Sequence, residues 1–261
     1  KTKNDAYAEE IQDHFLTQAA IIDVEDYVAA VKEILPTITA EEVAEQAKKW
    51  WKADNRSIII SGPSEGVTHL TEQEARDIIA EMEGKTVEAY QDNSIKGNLI
   101  EKEPEAGTII KIKELPQFDA EEWTMSNGAK VIFRKADFEK DVVTLSAYSP
   151  GGSSLYTDLD LLPAASNAGQ FTASYGLGSF DAISLSKYLT GKNANTQVAI
   201  SGLYESVSGN ASPKDFETMM QMIYLRFTAP RFDPQIHDVL IERNRITAKQ
   251  SAGRPQTMMR D

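Results

Sequence analysis

The sequence holds 261 residues, enough for one large or two ordinary domains. Hydrophobic residues make up 41% and charged residues 26%, which excludes a disordered chain, and no run approaches the ~20 apolar residues of a membrane-spanning helix. A net charge of −13 argues against a nucleic-acid surface, where Lys and Arg must neutralise phosphates. The absence of cysteine excludes disulfides and thiolate chemistry.

In chain order, Asp5 to Thr17 is helical by pattern, with Ile11, Phe15 and Leu16 on one face. Asp23 caps a helix from Val24 to Leu35, whose apolar Val24, Tyr27, Val28, Val31, Ile34 and Leu35 recur at helical spacing until Pro36 stops it. Thr39 and Glu42 have capping-box spacing before Val43, Ala47, Trp50 and Trp51. Of the two tryptophans, one is expected to pack in a core, and a stacking platform for sugars or bases is the weaker reading. Asn55 to Ser61 reads as a strand that Gly62-Pro63 breaks. Thr71 to Glu83 reads as another capped helix, with Glu74 at the box position.

The polar stretch from Gly84 to Gly107 fits a connector better than a core element, with short extended runs at Leu99 to Glu103 and Thr108 to Lys113. Beyond it, Asn127-Gly128 lies between two strand-like runs, where a tight hairpin turn wants positive φ at both central residues. A third strand, Val142 to Tyr148, ends in Ser149-Pro150-Gly151-Gly152-Ser153. A helix is expected from Asp160 to Ser174, with Pro163 tolerated in its first turn and Gly176 at its C-terminal cap. Ser179 is the expected cap of a short helix ending at Gly191. Ala194 to Ile200 and Leu203 to Ala211 form a strand pair. Ser212-Pro213 then opens a helix whose Phe216, Met219, Met220, Ile223, Tyr224 and Phe227 read as core, and Asp233-Pro234 begins the last helix. Hairpin, helices, strand pair and helices together make an α+β unit, an antiparallel sheet with helices packed on one face.

Four motifs stand in order: Trp123-x-x-x-Asn127-Gly128-x-x-Val131, Gly151-Gly152-Ser153-x-x-Tyr156, Gly176-Leu177-Gly178, and Tyr224-Leu225-x-Phe227-Thr228-x-Pro230-Arg231. The set resembles a unit of the pitrilysin/insulinase-type zinc metallopeptidases (the inverzincins), and more closely the later, metal-free unit of the long bacterial members. Ala40 to Pro63 resembles the tail of a preceding unit. The resemblance implies that residues 1–68 are the C-terminal part of one peptidase-like unit, 69–117 a linker, and 118–261 the N-terminal part of the next, non-catalytic unit. The chain is thus expected to be an internal piece of a longer protein.

The resemblance also implies a zinc hydrolase, whose active unit carries His-x-x-Glu-His on the first helix after the Gly-Ser turn. The corresponding stretch here, around Leu162 to Asn167, reads Leu-Pro-Ala-Ala-Ser-Asn. The histidines His14, His69 and His237 lie far apart and read as surface or helix-face residues. No catalytic, cofactor-binding or metal-binding residue is assigned, and zinc is expected to bind outside this stretch. Gly176-Leu177-Gly178 lacks the spacing of a dinucleotide loop, and acidic pairs such as Asp158 and Asp160 read as caps and solvated charge.

The implied function is the non-catalytic part of a peptidase substrate chamber. Its partners would be a peptide substrate and the zinc-bearing unit of the same chain or of another subunit, with no nucleic acid and no membrane span. The alternative is a zinc-free assembly partner of an active peptidase subunit, and a metal-independent hydrolase using Asp and Glu ranks last. A periplasmic or otherwise extracytoplasmic setting fits the resemblance.

Overall fold

The computed structural model describes residues 4–50, 52, 54, 56–63, 65–88, 90–92 and 94–251, and the chain divides into two units after Glu88. The first unit holds α1 (Asn4–Thr17), α2 (Val24–Ile34), α3 (Ala40–Trp50) and α4 (Glu72–Glu83). Side chains set these starts. Asp23 accepts from Glu25 N at 2.8 Å. Thr39 and Glu42 close a reciprocal box at 2.9 and 3.1 Å, and Thr71 and Glu74 close another.

None of these four helices contains a buried residue. The apolar stripe of α2 therefore stays in the open, with Tyr27 and Ile34 more than half exposed. Trp50 is 76% exposed; Trp51, the other of the pair from which one is expected in a core, lies outside the described residues. The strand expected over residues 55–61 is corrected. Residues 56–61 are without ladder pairing and Asn55 lies outside the described residues. Ile58-Ile59-Ile60 has the composition of a strand, but a strand exists by pairing, and no strand occurs among the described residues of this unit.

The second unit contains two antiparallel sheets of three strands. β1 (Ile109–Leu115), β2 (Ala120–Met125) and β3 (Lys130–Phe133) run in the order β1-β2-β3. β4 (Val143–Pro150), β5 (Ala194–Ile200) and β6 (Tyr204–Ala211) run in the order β4-β6-β5. With α5 (Leu162–Ser174), α6 (Ala182–Tyr188), α7 (Phe216–Thr228) and α8 (Pro234–Ser251), the architecture is the expected α+β. The hairpin joining β2 and β3 is built differently from expectation. Met125 N donates to Ala129 O at 2.8 Å and Gly128 N to Met125 O at 2.9 Å, so the loop has three residues. Only Gly128 of the Asn127-Gly128 pair takes positive φ, at +85°; one left-handed residue after a turn is how a three-residue loop closes. Asn127 contributes its side chain instead, accepting from Ala129 N at 3.0 Å. Trp123 stacks on Phe133 across the hairpin, ring centroids 5.0 Å apart.

Helix α5 packs on β5, and α7 on β5 and β6. The core joins Leu177, Phe180, Met222 and Leu225. Along α7 the buried residues are Thr218, Met219, Met222 and Leu225, so the core stripe is displaced from the one expected: Phe216, Met220 and Phe227 are exposed. Leu99, in the stretch read as connector, is 3% exposed and joins this core. The chain before it lies along α6, with Ile95 N donating to Ser184 Oγ at 2.8 Å and Lys187 to Asp92 at 2.6 Å. The ammonium of Lys187, with Ser94, holds the Asp92 carboxyl far below its usual range. Leu99 to Glu103 forms no strand; Leu99 is buried there and Ile100 packs against the same core. The cap of α6 is also corrected. The helix starts at Ala182, and Asp181 directly before it accepts from Ser184 N at 2.7 Å, displacing Ser179 from the role.

Candidate functional site

The β4-β6-β5 sheet carries the features with chemical potential. Its hydrogen-bond parity follows from bonds at the strand ends. Ser201 N donates to Tyr204 O and Ser212 N to Asn193 O, so Asn195, Gln197 and Ala199 bond to β6, while the backbone groups of Thr196, Val198 and Ile200 point away from it. On the other side Gly151 N donates to Leu203 O. Leu145, Ala147 and Ser149 therefore bond to β6, and Thr144, Ser146 and Tyr148 point outward.

The two edges are treated differently. At the β5 edge Arg226 donates from Nη2 to Thr196 O at 2.8 Å and from Nε to Thr196 Oγ1 at 2.7 Å. Burial works against the charge of this guanidinium and lowers its pKa. One step along, α5 comes so near that a Cβ on Gly169 would stand 2.2 Å from Val198 O. Only glycine permits that approach. At the β4 edge no hydrogen bond to the outward backbone groups of Thr144, Ser146 or Tyr148 occurs among the described residues.

The Pro150-Gly151-Gly152-Ser153 turn lies at the end of β4 and has the look of an anion cradle, but its donors are taken. Gly152 N donates to Glu205 Oε1 at 2.9 Å, Ser153 N to Ser201 O at 2.8 Å and Ser154 N to Gly202 O at 2.9 Å. The turn is a clasp between β4 and the β5–β6 connection.

Between the sheet and α5 and α7 runs a groove of about 410 Å³. Ala147, Val198 and Val207 form its floor, and Thr172, Leu177 and Phe227 line it from the helices and the turn after α5. Its charged members are Glu205, Arg226 and Arg231. Arg231 Nε is buried with no hydrogen-bond partner among the described residues, and its Nη2 stands 3.7 Å from Asp233.

The histidines are placed separately. His14 Nδ1 bonds Ala19 O and His69 Nε2 bonds Pro63 O, both at 2.7 Å. His237 is more than a helix-face residue: its Nδ1 lies 2.9 Å from the Tyr175 hydroxyl, and its ring sits among Phe171, Tyr175 and Phe232. That cluster joins α5 to α8 and was not visible in the sequence, because its rings come from distant positions. Among the described residues no group of three or more His, Asp or Glu is arranged to hold a metal ion. The part of α5 that meets the sheet edge is Gly169 and Thr172, later in the helix than the Leu162 to Asn167 stretch singled out from the sequence. Neither has a metal-ligating side chain of the zinc type, and Thr172 Oγ1 donates to Ala168 O at 2.7 Å. These residues do not fit a zinc ion.

No protein-family profile matches the chain. It is 24% identical over 229 residues to a zinc protease PQQL-like protein of Arabidopsis thaliana, an alignment covering 85% of this chain and 23% of that one. Among solved structures it is similar to the periplasmic protease PqqL from Escherichia coli, with TM-score 0.55, 17% identity, and coverage of 99% of this chain and 28% of that one. It is also similar to the ferredoxin protease FusC, solved in complex with Arabidopsis ferredoxin, with TM-score 0.52, 19% identity, and coverage of 96% and 28%. The chain thus spans about a quarter of the length of these relatives. In fold, the chain is similar to these two proteases over that stretch, in keeping with the resemblance that its motifs carry.

Proposed function

We propose that this chain is a non-catalytic part of a zinc endopeptidase, helping to enclose a peptide substrate while zinc and the water-activating glutamate reside elsewhere in the protein. The observation that carries the reading is the composition of α5. Where the resemblance implies His-x-x-Glu-His, the start of the helix reads Leu-Pro-Ala-Ala-Ser-Asn over Leu162 to Asn167, with no imidazole and no carboxylate. The chain's relatives by sequence and fold are nevertheless named as proteases. Division of labour reconciles the two: a unit without ligands serves the chamber and leaves the chemistry to another. A periplasmic setting, as in the name of the PqqL neighbour, belongs to the same proposal.

The test is peptide cleavage with zinc content assayed alongside, for residues 1–261 and for the protein extended upstream by a full unit. Zinc binding and chelator-sensitive cleavage by the extended form alone is the expected result. If neither form binds zinc or cleaves, the chain is a zinc-free assembly partner. Metal-independent cleavage by residues 1–261 would sink both readings.

A further inference from the structure

We infer that the groove between α5, α7 and the β4-β6-β5 sheet binds a short apolar peptide by its two free ends. The groove is mostly apolar, with Ser149, Thr172 and Ser206 among its uncharged lining, and it carries its charges at its extremities. Glu205 lies opposite Ile200 in the register, and Arg226 is held on Thr196. Four residues of strand separate those positions, about 13 Å at ~3.3 Å per residue. An extended peptide of about four residues has the same reach. Between the ends, Ala147, Val198, Val207 and Leu177 offer no hydrogen-bonding side chain and suit small aliphatic residues.

Each end has unused capacity for the charge it would meet. Glu205 gives Oε1 to Gly152 N, and its Oε2 takes no donor among the described residues, leaving it for an ammonium. At the other end, Arg226 is a desolvated cation paired with no carboxylate among the described residues. Arg231, whose Nη2 already stands 3.7 Å from Asp233, still presents a buried Nε without an acceptor among the described residues. A buried donor left unmade calls for an explanation, and a ligand carboxylate supplies one. An acid at one extremity and guanidinium groups at the other select a zwitterion over a simple fatty acid. This goes beyond the peptidase reading: binding here requires no metal, so loss of cleavage and loss of this binding are measured separately.

The test titrates the protein with the tetrapeptide Ala-Val-Ala-Val, its N-acetyl form and its C-terminal amide, followed by calorimetry. The free peptide is expected to bind, with acetylation and amidation each weakening it by about tenfold or more. In Glu205→Gln, whose amide oxygen still accepts from Gly152 N, acetylation should lose its effect while amidation keeps it. In Arg231→Gln the pattern should reverse. That crossed pattern does not arise from misfolding, which would remove both effects together, and circular dichroism checks the fold. Equal binding of free and blocked peptides, no saturable binding at millimolar concentration, or equally tight binding of an apolar monocarboxylate without an amine would each overturn the inference.

Discussion

The two edges of the β4-β6-β5 sheet are made from similar sequence and meet opposite fates. β5 places the carbonyls of Thr196 and Val198 outward, and both are met by protein: one takes the Arg226 guanidinium, the other lies against the α5 backbone at Gly169. β4 places Thr144, Ser146 and Tyr148 outward, and no hydrogen bond to their backbone occurs among the described residues. An unpaired edge is a template for another strand, so a protein leaves one open only where something is to be added or where the edge is blunted. Pro150 blunts the end of β4 and no more, because it removes one donor at the last position. The closed edge is a property of the folded unit; the β4 edge has no main-chain hydrogen-bond partner among the described residues.

The largest expected effect comes from forcing the closed edge apart. Gly169→Leu puts side-chain atoms where Val198 O already stands, and backbone cannot yield as a flexible side chain does. A loss of about 3 kcal/mol, read as a fall in Tm of about 10 °C, is expected. Gly202→Ala is the control: a Cβ there meets nothing within 4 Å, and the change should stay within about 0.5 kcal/mol. Ala147→Pro belongs with the large effects, because it deletes a donor that β4 gives to β6 and should cost about 3 kcal/mol.

Arg226→Met comes next. It keeps much of the apolar stem and removes two charge-assisted hydrogen bonds to Thr196, for a loss of about 2 kcal/mol in denaturant titration. Hydrogen exchange sharpens the result: the amides of Asn195 and Gln197, which bond to β6 on either side of Thr196, should lose protection while those of Leu145 and Ala147 keep theirs. Equal loss on both strands would mean that Arg226 stabilises the unit at large rather than closing one edge.

At the start of β5, Asp215 accepts from Ser212 Oγ at 2.6 Å and Asn193 N at 2.9 Å, and these bonds lower its pKa below the ordinary 3.8. A carboxylate whose folded pKa is depressed contributes stability that is present above its unfolded value and is lost as pH falls through the folded one. Asp215→Asn should therefore be less stable than the native protein at neutral pH, and the gap should narrow below pH 3.8. A gap that stays constant through the acid range would show that the carboxylate charge contributes nothing.

Much of this architecture is legible in the sequence because the signals are local. Thr39 with Glu42 and Thr71 with Glu74 announce helix starts through bonds spanning three residues. Alternation in Ala194 to Ile200 and Leu203 to Ala211 announces the strand pair. What escaped depends on partners far along the chain. Leu99 reads as connector because its neighbours are polar, yet it is buried by residues 78 to 126 positions later. Ile58 to Ile60 reads as strand because composition cannot report whether a partner exists. Gly169 reads as an unremarked helix glycine, worth about 1 kcal/mol against alanine, until Val198 O is placed beside it. The edges were invisible for the same reason: parity is set by where Ser201 bonds Tyr204 and Gly151 bonds Leu203, and neither bond has a residue-type signature.

The smallest effect tests the open edge directly. Ser146 points its N–H away from β6, so Ser146→Pro removes a donor that has no acceptor among the described residues, whereas Ala147→Pro removes one that does. Proline's fixed φ asks for a small adjustment in an extended strand, and the unfolded chain loses entropy as well; these terms oppose each other and leave a change of less than about 1 kcal/mol. The contrast between adjacent positions is the decisive quantity. If Ser146→Pro costs as much as Ala147→Pro in residues 1–261, the β4 edge is already paired and the openness described here is wrong. If it is mild in residues 1–261 but severe in the protein extended by its neighbouring units, then a strand is added at β4 in the larger protein, and the missing donor at Ser146 identifies the edge it joins.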